Sequence, residues 1–304
     1  MGQDRVKLRS PVRWATDISS ILNTVRGLDH FPVSVKEVAI DLSRNWFPDD
    51  PLSLVQGAHL PGFDGALFPA PSGEKGWGIF YNSSIASPGR INFTLAHEFG
   101  HYLSHRLKYP DGMRCSQQDV VRWDSQYRQI EHEANTFAAY MLMPLDDFRR
   151  QLDPQAAPTL DSLSDCADRY GVSVIAATLR WLSYTQRRAV LVVSRDGFIL
   201  WARSSEPAFR SGVYIKSSGS AVPIPEGSVA ANPQAREEAM LGVNLAPGVW
   251  FQEACREVSI FAENYDFTLS LIHLPPGGGR SVFDGSDPVE GETLGDTIRR
   301  NHGL

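Results

Sequence analysis

A chain of 304 residues has room for two compact domains, and 42% hydrophobic with 21% charged residues is an ordinary balance for a globular protein. The net charge of −6 and pI near 5.8 disfavour a general grip on phosphate backbones, so direct nucleic-acid binding is not expected. Cys115, Cys166 and Cys255 include no CxxC pair, which suits a reducing compartment and speaks against a thiolate zinc site.

The N-terminal run MGQDRVKLRSPVRWATD has basic residues but no apolar stretch behind them, and it misses the myristoylation pattern. No run approaches the roughly 18 consecutive apolar residues of a spanning helix. A cytoplasmic protein without a membrane segment is the expectation. WATDISSILNTVRGL then puts Trp14, Ile18, Ile21, Leu22 and Val25 on one helical stripe, stopped by Gly27. After Pro32, SVKEVAIDLSRNW predicts a second helix, with Ser34 and Glu37 spaced as a capping box. From Leu54 to Tyr81 the chain reads as strands interrupted by Pro-Gly, Asp-Gly and Ser-Gly turns, with GWGIFYN the clearest.

Pro88-Gly89 marks a turn, and INFTLAHEFGHYLSHRL follows as a long helix. A polar stretch, 108–128, separates it from a second helix, EHEANTFAAYMLM, closed by Pro144. Residues 145–183 predict two or three more helices, the last two around a Gly-Val-Ser turn. Beyond Arg188 the pattern changes to short apolar runs: AVLVVS, GFILWA, GVYIKS, GVWFQEA, VSIFAE and FTLSLIHL. The tail from Pro275 reads as irregular. The expected architecture is α+β, with a mixed α/β domain at 1–150, a helical extension at 151–187 and a β-rich unit at 188–304.

The chemistry lies in His97-Glu98-Phe99-Gly100-His101, an HExxH motif. At about 100° per residue, positions i and i+4 share one face of a helix, so both imidazoles can reach one tetrahedral zinc ion at about 2.0–2.1 Å. Glu98 is rotated aside by one residue, where it can take a proton from water that the metal activates and hand it to the leaving amine. A bare HExxH arises by chance in many helices. Here the helix is mostly apolar, and burying two histidines and a glutamate without a cation or partner would be costly.

The third ligand is less directly written. A metzincin would need His at position 107, which is Leu107, and His105 lies about 12 Å along the axis from His97, too far to share the ion. Glu131 and Glu133 on the next helix are the carboxylates available, and Glu131 is preferred. Asn135, four residues on, can lie beside it and bond a zinc-bound histidine. Glu133, some 200° round the helix, is read as facing solvent or a partner, and His132 as exposed.

With both helices placed, FTLAHEFGHYLSH followed by EHEANTFAAYMLMP resembles the ImmA/IrrE family of metallopeptidases, with coverage from about Trp14 to about Leu182. The resemblance implies a gluzincin-like zinc site in a zincin-like domain, with His97, His101 and Glu131 as ligands and Glu98 as base. It also implies a cytoplasmic protease for a protein partner, a helix-turn-helix repressor whose cleavage relieves repression, as in phage-type and radiation-response systems. Residues 160–183 resemble the family's helix-turn-helix-like segment, but Arg169 and Arg180 are their only basic residues, too few for a phosphate grip. The resemblance fades after Arg188.

Other features carry less. His105 is read as a solvent-facing helix end in preference to an outer partner of the ligands, Cys115 as a plain loop thiol, and Trp201, Trp250, Phe251 and Phe261 as sheet core. Gly277, Gly278 and Gly279 follow no strand-to-helix pattern and are not a phosphate loop. The rival to the peptidase is a DNA-binding or partner-binding regulator, including a toxin–antitoxin-like module, in which the peptidase site is vestigial.

Overall fold

The computed structural model describes residues 9–72, 74–115, 125–216, 221–262 and 267–277. By internal contacts the chain divides into two compact units. Of the described residues, one unit takes those up to Asp147 together with Ala167–Ser173, and the other takes Phe148–Cys166 and those from Val174 on. The stretch 151–187, read from sequence as a helical extension, is divided between the two. The class is α+β, as the sequence predicts.

The first unit begins with α1 (Pro11–Arg26), where Ser10 accepts from the Arg13 amide and Pro11 takes the first turn, a position that needs no N–H. Gly27, at φ 80°, ends it. In α2 (Val35–Trp46) the expected capping box is not made. Ser34 gives no side-chain cap, and Glu37 instead lies 3.4 Å from the Arg26 guanidinium. Three strands follow, β1 (Leu52–Ala58), β2 (Gly65–Pro69) and β3 (Trp77–Asn82), then α3 (Pro88–Ser104), β4 (Met113–Cys115) and α4 (Ser125–Leu142). The sheet order is β1-β3-β2-β4, with β1 parallel to β3 and the other pairs antiparallel.

Pro88-Gly89, read as a turn, is the first turn of α3 itself, with Ser87 accepting from the Arg90 amide. From Phe93 to Leu103 every residue of α3 is buried, the mark of a helix running through a core rather than over it. Asp50, just before β1, anchors its far end. Asp50 accepts from Trp77 Nε1 at 2.8 Å and Arg106 Nε at 2.8 Å, and its carbonyl accepts from the Tyr102 hydroxyl at 2.6 Å. The Arg106 guanidinium also lies over the rings of Phe47 and Tyr102. The sheet and α3 are thus locked together at one end.

Helices α5 (Leu145–Gln151), α6 (Leu160–Tyr170) and α7 (Val174–Leu182) follow, the last two joined through Gly171 at φ 62°. Neither of the two arginines in this segment is free for a phosphate. Arg169 pairs with Asp147 at 3.0 Å and Asp29 at 2.8 Å, and Arg180 is fully buried.

In the second unit β5 (Ala189–Arg195), β6 (Phe198–Ser204), β7 (Val222–Pro223), β8 (Val243–Leu245), β9 (Cys255–Ala262) and β10 (Phe267–His273) make one antiparallel sheet, ordered β7-β6-β5-β10-β9-β8. Short helices α8 (Glu206–Arg210) and α9 (Arg236–Leu241) lie between strands. One face buries Val190, Val192, Ile272 and Leu274 in a common core, and on the other the α7 residue Trp181 meets the His273 ring edge-on at 5.8 Å.

Among the described residues two expected strands are absent. GVYIKS follows Gly212 at φ 79°, and Val213 joins the core from irregular backbone. In GVWFQEA, Gly248 at φ 95° turns the chain so that Trp250 Nε1 donates to the buried Glu257 carboxylate at 2.7 Å. Ser228 and Ser259 donate to the same group, and satisfying a buried carboxylate outweighs the strand propensity of the run. Trp201 is buried, and Trp250 and Phe251 are half-buried against the core, as sheet-core residues should be. Gly278, Gly279 and the tail beyond them lie outside the described residues.

Candidate metal centre

The site lies wholly in the first unit, where α3 and α4 run side by side. Gly100 sets their spacing. A Cβ there would lie 3.0 Å from the Phe137 ring and 3.3 Å from the Ala134 backbone, so a larger residue would push the helices apart. This approach brings Glu131, on α4, opposite the two histidines of α3. His97, His101 and Glu131 are all buried, and each offers a ligand atom within 4.8 Å of the others.

The distances suit a tetrahedral ion. His97 Nε2 and His101 Nε2 are 2.9 Å apart, and the Glu131 carboxylate oxygens stand 3.4 Å from the first and 3.3 Å from the second. Donors about 2.05 Å from a shared zinc at tetrahedral angles are separated by about 3.3 Å.

The tautomers can be derived from the outer partners. Asn135 Oδ1 lies 2.8 Å from His97 Nδ1 and, as a carbonyl oxygen, can only accept, so Nδ1 carries the proton and Nε2 a lone pair. On the other side His101 Nδ1 lies 3.0 Å from His105 Nδ1, and His105 Nε2 lies 3.1 Å from Glu133 Oε2. Glu133 accepts from His105 Nε2, which leaves His105 Nδ1 to accept from His101 Nδ1. His101 Nε2 is then bare as well. Two lone pairs and a carboxylate facing one another at this range make a donor set for a cation.

This chain of bonds runs with a neutral His105, and burial favours that form. Burial, and then the neighbouring His101, pull its pKa down to about 4. For Glu133, burial opposes ionisation, but hydrogen bonds from Gln129 and His105 outweigh it and hold the carboxyl below its ordinary range. The reading of His105 as a solvent-facing helix end is therefore corrected. Its side chain is buried, because α3 ends at Ser104 and both the His105 and Arg106 amides turn back onto the His101 carbonyl. The four-residue spacing of His97, His101 and His105 was the available signal. Glu133 is correspondingly a half-buried partner of His105 and not a free surface carboxylate, and His132 is half-buried.

Glu98 is fully buried beside this group. With His97, Thr94, Gly65, Asp64 and Arg90 it lines a cavity of about 10 Å³, near the volume one water needs. Arg90 and Asp64 form a 2.7 Å ion pair at that cavity. Gly65 was missed in the sequence, where Asp64-Gly65 reads as a turn. In the structure Gly65 opens β2, and a Cβ there would sit 2.6 Å from Glu98 Oε1 and 2.6 Å from Thr94 Cγ2. Gly65→Ala is expected to displace the Glu98 carboxylate and lower cleavage about 100-fold at unchanged metal content, since a 1 Å misplacement of a reacting group costs about that much. Kinetics alongside metal analysis would check it, and undiminished cleavage would refute it.

Asn135→Ala should loosen the metal about 10–100-fold, the range for removing a partner that orients a liganding histidine. Competition with a chelator of known affinity measures it. Of Cys115 only the backbone, in β4, is described, and residues 116–124 of the polar stretch lie outside the described residues.

Residues 54–182, which contain both helices of the centre, match the family model of the IrrE N-terminal-like domain, the M78 peptidase family. A search of curated proteins finds no match.

Proposed function

We propose, for a chain whose residues 54–182 form an IrrE N-terminal-like domain of the M78 peptidases, that it is a zinc-dependent endopeptidase cleaving a protein partner. The observation that carries this reading is the converging set of His97 Nε2, His101 Nε2 and Glu131, with Glu98 one residue aside. His97, His101 and Glu131 would hold the ion, which supplies Lewis acidity toward a carbonyl oxygen and toward water. Glu98 takes the proton of the attacking water and delivers it to the departing amine nitrogen, so one carboxylate serves as base and then acid. Asn135, His105 and Glu133 hold the imidazoles in the tautomer that the ion requires.

The substrate we infer is a helix-turn-helix repressor in the cytoplasm, on the resemblance of the two helices to ImmA/IrrE peptidases. The commitment of Arg169 to Asp147 and Asp29, and the burial of Arg180, favour action on a protein over action on DNA. The test is co-expression with the helix-turn-helix protein encoded nearest to the chain. Purified protein is expected to carry about one zinc per chain. The repressor is expected to yield two fragments at a single site by mass spectrometry, with derepression of its promoter. An intact repressor in the presence of a zinc-loaded chain would overturn the substrate assignment. A chain that binds no zinc at all would overturn the enzyme.

A further inference from the structure

The second unit contains a cleft of about 360 Å³ that the metallopeptidase chemistry does not use, within the size range of small-molecule sites. Its floor is a row across three strands. His273 on β10 is paired with Arg256 on β9, which is paired with Asn244 on β8, and residues directly opposed in a sheet project from the same face. Arg187, just before β5, also lines the cleft. Among the described residues no carboxylate lines the cleft, in a chain with 35 acidic and 29 basic residues.

Both guanidiniums are set in place with donors to spare. Arg256 Nη2 donates to the Leu241 carbonyl at 2.7 Å, using one of its five N–H bonds. Gly242, at φ 89°, makes this possible, since a Cβ there would lie 2.8 Å from Arg256 Nε. Arg187 Nε is buried and, among the described residues, has no hydrogen-bond partner. Its Nη1 reaches the Gln155 carbonyl only at 3.5 Å. The positive field reaches the buried imidazole. His273 is held neutral, with its pKa down to about 4, by burial first and then by the charges of Arg187 and Arg256. At the rim Met240 and Leu241 are 47% and 77% exposed, an apolar wall left open to solvent beside two cations.

We propose that this cleft binds a small organic anion, a carboxylate or phosphate headgroup on a short apolar body. Arg187 and Arg256 grip the headgroup, His273 adds a neutral hydrogen-bonding group, and Met240 and Leu241 cover the body. Arginine forks suit both headgroups, which share planar or near-planar oxygen pairs.

The test titrates the full chain with hexanoate, hexyl phosphate and hexanol by calorimetry, and follows the His273 ring by NMR. At least one anion should bind saturably and hexanol should not, and the stronger anion identifies the headgroup. Arg187→Gln and Arg256→Gln should each weaken binding about tenfold or more, as expected on losing a charge-assisted hydrogen bond. The bound anion should also raise the His273 titration midpoint from about 4. Binding that survives both substitutions, equal binding of hexanol, or no binding of either anion would overturn the proposal. Should Arg256→Gln disturb the fold, the half-buried Arg187 still decides it.

Discussion

Glu98→Gln is expected to retain its zinc and its thermal stability while cleavage falls by about 10²–10⁴-fold, the usual contribution of a positioned general base. The substitution is nearly isosteric at a fully buried position lying against Gly65 and Thr94, so packing is kept and only proton acceptance is lost. Glu98 is not among the three groups whose ligand atoms converge, so the metal should stay. Paired measurements of zinc content and single-turnover cleavage separate the two effects. Cleavage at the parental rate by a zinc-loaded Glu98→Gln chain would rule out the mechanism.

The second large effect is at Glu131. Removing it leaves two imidazoles for the ion, and Glu131→Ala should lose zinc on dialysis and all cleavage with it. The loss should exceed the roughly 10–100-fold expected for an outer partner such as Asn135. Thermal stability should fall as well. An ion at a thousandfold excess over its Kd stabilises the folded chain by about 4 kcal/mol, and that contribution disappears with the site. Glu133→Ala is the matching control. Glu133 is bonded to His105 and not to the ligand group, so its removal should weaken zinc binding only through the orientation of His101. Zinc retained by Glu131→Ala and lost by Glu133→Ala would reverse the assignment of the carboxylate.

What could be read in advance follows the range of the physics involved. Helical spacing is local, so His97, Glu98 and His101 were legible as one constellation, and Asn135 could be placed beside Glu131 by the same arithmetic. The long apolar helix, the following helix and the β-rich second half were legible because apolar periodicity reports directly on burial. His105 was misread because its fate depends on where α3 stops and on a carboxylate from another helix. GVYIKS and GVWFQEA look like strands until a glycine at positive φ and the buried Glu257 claim their backbone and side chains. Gly65 gave no signal beyond a turn, since the atoms it makes room for lie on α3, about thirty residues away in sequence.

The sequence by itself determined the helix that sets His97 and His101 on one face with Glu98 beside them, and the α+β class, because these rest on periodicities of a few residues. Only the tertiary structure decided which carboxylate meets the histidines, which nitrogens keep their protons, and that a glycine at the head of β2 makes room for the Glu98 carboxylate. Those outcomes depend on distances of about 3 Å between segments far apart in the chain, and such distances exist only once the two helices and the sheet have packed together.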